Sequence, residues 1–436
     1  LDPRSVDNLC SLASAHRLNG QLDIAIENYK KALEIDPERA GTYSDFATTL
    51  YDSGQKKEAM EAHNLAIKKD PGSETVLLNY GTTLDNNGEL NKAIDIYKRS
   101  LAIKPDYDKA HTNLAFVYLQ MGDVDLAVEH RQWRWKSKEG EQKISHLKLP
   151  EWDGKQSLKG KRVLALGEQG PGDVIIWAPG IEYLKRLGGR VTLQCHAKLI
   201  ELFEMSFTDI EIKPADNKKT IGTDVYDYYI PMETLFGYFC LSEQKRDKTL
   251  NFSAPSQLKT DTFLFPKQER IDFWKESLNK IGNGPFVGIS WKSPKITYAR
   301  NKNYTELSDW EPLFSLPNLT FINLQSKAFE DDLLEIKKKY SVDVHNFDDL
   351  DHYDDFADVA ALCAALDVCV SISTAVSTVA AAVGTPTKML QWRRSSWNNV
   401  LFSPTGPNVK IYEKDTWESW DNSFNLIAKE LKNIKN

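Results

Sequence analysis

The chain has 436 residues, 41% of them hydrophobic and 27% charged, which is room for two to four domains with substantial cores and excludes disordered, fibrous and small disulfide-rich classes. Fifty-five Lys plus Arg against 62 Asp plus Glu leave a net charge of −7, so no global positive field favours nucleic acid or anionic lipid, although a local basic pocket stays open. The five cysteines, Cys10, Cys195, Cys240, Cys363 and Cys369, are scattered and odd in number and lack the paired spacing of zinc or redox sites. With no apolar secretion leader in the first residues, a reducing, cytoplasmic setting is expected. The Ala-rich stretch from Val359 to Gly384 is interrupted by Asp367 and Ser/Thr residues, so it reads as buried helix, strand and helix rather than as a membrane span.

The first third is periodic. Gly20, Gly54, Gly88 and Gly122 recur every 34 residues, as do Ala25, Ala59, Ala93 and Ala127, and Pro37, Pro71 and Pro105. Each unit holds two apolar helical patterns around a glycine turn, and proline ends the second helix. Three full units, about 6–39, 40–73 and 74–107, precede a fourth that decays after Ala127. The segment resembles tetratricopeptide repeats, which stack into a superhelix whose concave face binds extended peptides. One first-helix position carries Ser11, Asp45, Asn79 and Asn113. In O-GlcNAc transferases, asparagines at the equivalent position line the groove, so the resemblance makes Asn79 and Asn113 peptide-groove candidates; solvated polar residues on a helix face are the plainer alternative.

From Lys136 to Lys161 the period vanishes and charge, Gly and Pro accumulate, marking a boundary. Apolar runs then alternate with helical patterns: Arg162 to Leu166 as a strand, a Gly/Pro turn to Gly172, a helix over Asp173 to Leu187, and Arg190 to Cys195 as a second strand. The pattern restarts after Pro266 to Gly284, with strands expected at Phe286 to Trp291, Leu319 to Leu324, Val342 to Val344, Asp367 to Ile372 and Lys388 to Leu390. Alternation of this kind predicts parallel sheets in two nucleotide-fold-sized halves. A terminal amphipathic helix is expected over Trp417 to Leu431.

The turn Glu168-Gln169-Gly170-Pro171-Gly172-Asp173, and the later series Asp355 to Leu362, Leu366 to Ile372, Ser373-Thr374-Ala375 and Ala380 to Pro386, together resemble the heptosyltransferase-like GT-B glycosyltransferases. Bacterial proteins in which tetratricopeptide repeats precede such a module, as in flagellin glycosyltransferases, are similar over most of 150–410. The resemblance implies an α plus α/β protein: tetratricopeptide repeats over 1–136, a linker over 137–161, an N-terminal acceptor-side GT-B lobe over 162–265, a C-terminal nucleotide-sugar lobe over 266–412 and a C-terminal helix over 413–436. In that family the terminal helix often crosses back to the first lobe.

The chemistry follows from the same residues. An inverting transferase must take a proton from the acceptor hydroxyl. Asp173, matching the family's Gly-Asp step, is the candidate base, with Glu168 as a substitute; helix capping and a solvated loop charge are their ordinary alternatives. The leaving group needs compensation for its developing negative charge. Ser373, Thr374 and Ala375 at a helix start, with Lys292 and Arg300 in the basic loop Lys292 to Tyr304, are the donor-phosphate candidates. Gln169, Gly170, Gln391 and Trp392 are candidates for nucleotide or sugar contact, and Arg393, Arg394 and Trp397 lie close by in sequence. No Asp-x-Asp metal motif is read between a strand and its loop; the pairs Asp331-Asp332, Asp348-Asp349 and Asp354-Asp355 read as solvated surface, so neither metal nor other cofactor is expected. Ser373 stands where the family has Asp, and Thr378 where it often has His. The histidines form no i, i+4 pair and no nucleophile triad, and receive no role. The expected function is an inverting, metal-independent glycosyltransferase moving sugar from a nucleotide-sugar donor to an acceptor hydroxyl on a protein held by the repeats. The alternatives are a noncatalytic interaction protein with a degenerate module, or transfer to a glycan or lipid-linked acceptor.

Overall fold

The computed structural model describes residues 5–216, 220–247, 262–293, 304–327, 329–392, 408–414 and 418–434. Contacts divide them into two compact units, one ending at Gln142 and the other beginning at Lys143.

The first unit is built from four helical hairpins: α1 (Val6–Leu18) with α2 (Leu22–Ile35), α3 (Ala40–Asp52) with α4 (Lys56–Lys69), α5 (Glu74–Asn86) with α6 (Leu90–Ile103), and α7 (Asp108–Gln120) with α8 (Val124–Arg131). Gly20, Gly54, Gly88 and Gly122 all sit at φ between 77° and 86°, the left-handed region that a side chain disfavours, which is why the turn selects glycine every 34 residues. Ala25, Ala59 and Ala93 are fully buried and Ala127 is 1% exposed, letting paired helices approach closely. The expected decay of the fourth unit is real: α8 stops after 8 residues, where the other second helices run to 14.

The stretch expected to be a linker is folded in part. It holds α9 (Lys138–Ile144) and a short strand, β1 (Leu147–Lys148), that pairs in parallel with β5 (Ile221–Gly222).

Besides that pair, the described residues of the second unit form two larger parallel sheets. The first is ordered β4-β3-β2-β6, from β2 (Arg162–Leu166), β3 (Arg190–Cys195), β4 (Glu211–Pro214) and β6 (Tyr228–Pro231). The expected single helix after β2 is two, α10 (Pro171–Trp177) and α11 (Gly180–Arg186), because Pro179 has no N–H to continue the ladder. Helices α12 (Ile200–Ser206), α13 (Met232–Arg246) and α14 (Gln268–Ile281) follow.

The second sheet is ordered β12-β11-β10-β7-β8-β9, from β7 (Phe286–Ser290), β8 (Thr320–Asn323), β9 (Val344–His345), β10 (Val368–Ile372), β11 (Thr387–Trp392) and β12 (Val409–Lys414). Every residue of β7 and β10 is buried, as expected for central strands with both faces covered. The flanking helices are α15 (Glu311–Phe314), α16 (Glu330–Tyr340), α17 (Phe356–Ala365), α18 (Ala375–Ala382) and α19 (Asp421–Leu431). Asp355 caps α17 by accepting from the Asp358 N–H at 2.9 Å. Asp358 in turn takes two bonds from Arg270, at 2.6 and 2.7 Å, and one from Trp274 Nε1 at 2.9 Å, clamping α14 to α17. The C-terminal helix α19 does not follow the family expectation of crossing to the first sheet. Its Phe424, Ile427 and Leu431 join Trp310, Phe314 and Leu390 in the core beside the second sheet, where their apolar faces are covered.

Candidate functional site

In parallel α/β sheets, ligands gather at the carboxyl ends of the strands, where loops and helix starts expose backbone groups. Two such ends meet here. After β2 the chain turns through Glu168, Gln169 and Gly170, and Gly170 is the N-cap of α10, with Pro171 in its first turn. After β10 it turns through Ser373 and Thr374 into α18, and the Ser373 N–H donates to the Leu390 carbonyl on the neighbouring strand at 2.8 Å.

The two helix starts abut. A β-carbon placed on Gly172 would lie 3.1 Å from Ala375 Cα and 3.5 Å from its N, so a side chain there would press the two backbones apart. This brings the Gly172-Asp173 step of the first sheet against the Thr374-Ala375 step of the second.

Asp173 is exposed and lies in the first turn of α10, whose N-cap is Gly170. Its Oδ2 lies back over Gly170, 3.6 Å from where a β-carbon would stand. Glu168 and Gln169 are half-buried on the same turn, and Gly170 is exposed.

Thr374 is tied down through its backbone. Its N–H donates to Ser377 Oγ at 3.0 Å, and its carbonyl accepts from Ser377 Oγ at 2.8 Å and Thr378 Oγ1 at 3.1 Å. Its hydroxyl faces the first turn in the manner of a capping box, yet Thr374 Oγ1 is buried without a hydrogen bond of ordinary geometry. Thr378, at the position where the resemblance expects His, is 2% exposed and spent on its own helix.

Lys292 stands just past the end of β7, but its ammonium pairs with Asp332, whose Oδ2 also accepts from Trp291 Nε1 at 2.7 Å. Asp332 is therefore no solvated surface charge: its side chain is 20% exposed and holds the only patterned cation among the described donor-phosphate candidates. Gln391 is 3% exposed at the end of β11, followed by half-buried Trp392. Arg300, Arg393, Arg394 and Trp397 lie outside the described residues.

Sequence reasoning missed Gln325. This side chain is fully buried just past β8, and its Oε1 accepts from Ser290 Oγ at 3.1 Å, from Trp291 N at 3.2 Å and from Lys292 N at 3.1 Å. It thereby fixes the end of β7. An apolar strand followed by a lone Gln offers no pattern that would single it out.

In the repeats, the groove candidates bond to neighbouring repeats. Asn79 Nδ2 donates to Ser44 Oγ at 3.0 Å and Asp45 Oδ1 at 3.3 Å, and Asn113 Nδ2 donates to Thr82 Oγ1 at 3.1 Å. Burial raises the Asp45 carboxyl above its ordinary range. The amide donors thus act first as joints between repeats.

Comparison with known proteins agrees with the helical hairpins. Residues 16–78 match the family described as tetratricopeptide repeat, and residues 85–122 the family described as TPR repeat. The N-terminal segment is a tetratricopeptide-repeat array. Protein FlbA of Caulobacter vibrioides is 27% identical over 381 residues, which cover 77% of this chain and 63% of FlbA. The chain thus spans less than two thirds of that curated relative's length. Among solved structures, MamA is 26% identical and covers 32% of this chain and 82% of its own, with a TM-score of 0.28. A protein described as a thermophilic TPR protein in Thermus thermophilus is 24% identical with a TM-score of 0.30, covering 32% of this chain and 76% of its own. Among the described residues no helix is long and apolar enough to cross a membrane.

Proposed function

We propose that the chain is an inverting glycosyltransferase that moves a sugar from a nucleotide-sugar donor to an acceptor hydroxyl, on a protein engaged by the repeats. The observation that supports this reading is the abutment of Gly172 on Ala375, which sets a carboxylate-bearing helix start beside a hydroxyl-bearing one at the carboxyl ends of two parallel sheets. In this reading Asp173 takes the acceptor's proton as the oxygen attacks the anomeric carbon. The bond from that carbon to the nucleotide's phosphate oxygen breaks, and Thr374 Oγ1, the N–H groups opening α18 and the Lys292 ammonium receive the charge that develops. Protein donors rather than a metal serve the leaving group. Lys292 must first leave Asp332, so donor binding exchanges one anion for another.

A second reading, a noncatalytic interaction protein, is favoured by Thr378 being consumed within its helix and by the Lys292–Asp332 pair. Donor hydrolysis and transfer assays with wild-type chain and Asp173→Asn separate the two. Loss of at least a hundredfold in turnover with nucleotide affinity unchanged is expected. Turnover that survives Asp173→Asn removes the base assignment, and absence of nucleotide binding leaves the interaction protein.

A further inference from the structure

One side chain beside the first sheet reaches the second sheet at a place remote from the Gly172 abutment. Lys198 lies in the turn Ala197–Leu199 that follows β3. Its ammonium donates to the Tyr353 carbonyl at 2.8 Å, pairs with Asp354 Oδ1 at 2.6 Å and stands 3.2 Å from the centroid of the Tyr353 ring. Tyr353 and Asp354 lie beyond β9, the edge strand of the second sheet. A single cation thus makes three contacts across the interval between the sheets.

Both sides of this contact are held in shape beforehand. His196 Nδ1 accepts from the Lys198 N–H at 3.3 Å, and Leu199 is fully buried. Opposite, Asp351 Oδ1 accepts from the N–H groups of Tyr353 at 2.9 Å and Asp354 at 2.8 Å. Leu350 and His352 are buried, and the His352 ring stands 6.3 Å from the Phe329 ring. With both backbones fixed, forming the contact orders little beyond the lysine side chain itself.

A second cation works against the first. The Lys327 ammonium, from the loop after β8, lies 3.7 Å from the same Tyr353 centroid. The two ammoniums are therefore no more than about 7 Å apart, close enough to repel each other. Asp354 attracts Lys198 while Lys327 offsets part of that attraction, and when Lys198 withdraws the ring keeps a cation. Such a balance suits a contact that opens and closes; a permanent staple has no use for an opposing charge.

Other contacts between the halves run along α18. At its start Ala375 faces Gly172, and at its end the Ala382 carbonyl accepts from the Phe263 N–H at 3.0 Å and the Leu264 N–H at 3.2 Å. The adjoining Phe265 N–H donates to Ser206 Oγ on α12 at 2.9 Å. Helix α12 and the turn bearing Lys198 rest on α17, which begins just after Asp354. In the order β10-β7-β8-β9 the lysine contact stands three strands from β10, which leads into α18, or about 14 Å away. Rotation by about 10° around α18 shifts a point at that distance by about 2–3 Å, enough to break hydrogen bonds there while the contacts along α18 barely move.

We propose that Lys198, Tyr353 and Asp354 form a releasable clasp. Closed, it holds the outer edges of the two sheets together; released, it lets them part about α18 and widens access to the carboxyl ends of β2 and β10. The inference stands whether or not the sheets transfer sugar.

Double electron–electron resonance on the full chain tests it. Spin labels go at Thr208→Cys and Lys338→Cys, exposed positions beside the first and second sheets, with Cys10→Ser because the other four cysteines are buried. Lys198→Met keeps the stem and removes the charge. It should raise the ratio of long to short label distances about five- to thirtyfold, the combined worth of an ion pair and a cation–ring contact. Asp354→Asn should raise the ratio about two- to fivefold, and adding Lys327→Met should take part of that rise back. Circular dichroism melting confirms that each variant is folded. Because the Asp354 side chain is 62% exposed, Asp354→Asn keeps the comparison open where Lys198→Met does not fold. Unchanged distances in folded Lys198→Met, or in Asp354→Asn where that variant stands alone, overturn the clasp. So does a Lys327→Met substitution that reverses none of the Asp354→Asn rise.

Discussion

Replacing Gly172 by alanine sets two effects of opposite sign against each other. Gly172 lies inside α10 and is absent from the positive-φ glycines, so the backbone alone would welcome a side chain. Alanine should then stabilise the helix by about 1 kcal/mol. The structure adds a steric term: the new β-carbon would stand 3.1 Å from Ala375 Cα and 3.4 Å from its Cβ. Carbon contacts relax at about 3.5–4.0 Å, so the helix starts must part by roughly half an ångström, and inserting a methyl into a filled site costs about 1–3 kcal/mol. The net expectation is destabilisation by about 0–2 kcal/mol, with Gly172→Val worse. Differential scanning calorimetry of the full chain resolves the transition of the second unit, and a drop of about 2 °C per kcal/mol is expected. A rise in that transition of about 2 °C or more for Gly172→Ala would refute the reasoning, because it would mean that the two turns stand apart in solution.

Two further outcomes are expected. His111 Nε2 lies 2.9 Å from the Pro105 carbonyl, which can only accept, so the neutral ring's free Nδ1 must accept from His130 Nδ1–H at 2.7 Å. Burial holds His130 down at about 4 and His63 at about 3, and lowers His111 as well. Depressed values mean that the unfolded chain binds protons first, so stability of the repeats is full above about pH 6.5 and is lost as pH falls from there toward about 4. Thermal melts across that window should show the loss, and His130→Phe should flatten it; an unchanged slope would rule the pair out as its source. For the second unit, Asp332→Asn retains an acceptor for Trp291 Nε1 and releases Lys292, so pyrophosphate affinity should rise several-fold at low salt and fall below wild type in Lys292→Gln. Calorimetric titration reads both, and a decrease in Asp332→Asn would show that the carboxylate positions the lysine rather than competing for it.

Much of the architecture is legible because it rests on local rules. The glycines every 34 residues report a backbone angle that few other residues tolerate, and β2 and β3 follow the apolar runs at Arg162 to Leu166 and Arg190 to Cys195 residue for residue. Short strands give less warning: β4 and β6 have four residues each, and the sequence reading names no strand at either. The break at Pro179 is visible in the sequence, but the surrounding apolar residues suggest one continuous helix.

The candidate site is legible in its frame and not in its wiring. The turns ending in Asp173 and Thr374 do come together, yet nothing in the pattern relates Lys292 to Asp332, which are forty positions apart and joined only when α16 packs beside β7. His352 gives no signal for a similar reason. It sits among Asp348, Asp349, Asp351, Asp354 and Asp355, a run that reads as solvent-facing, while the fold turns this one ring inward.

The 34-residue spacing of the first unit has a consequence for how its reach can change. Each hairpin leans on its immediate neighbours, and Asn79 reaches back to Asp45 across one period. Excising a whole period, such as 40–73, would graft Glu74 onto Arg39 at an equivalent joint and leave every remaining interface of a familiar kind. The array can therefore be shortened or extended in fixed increments, like links in a chain, whereas a cut of any other length would misalign every helix downstream.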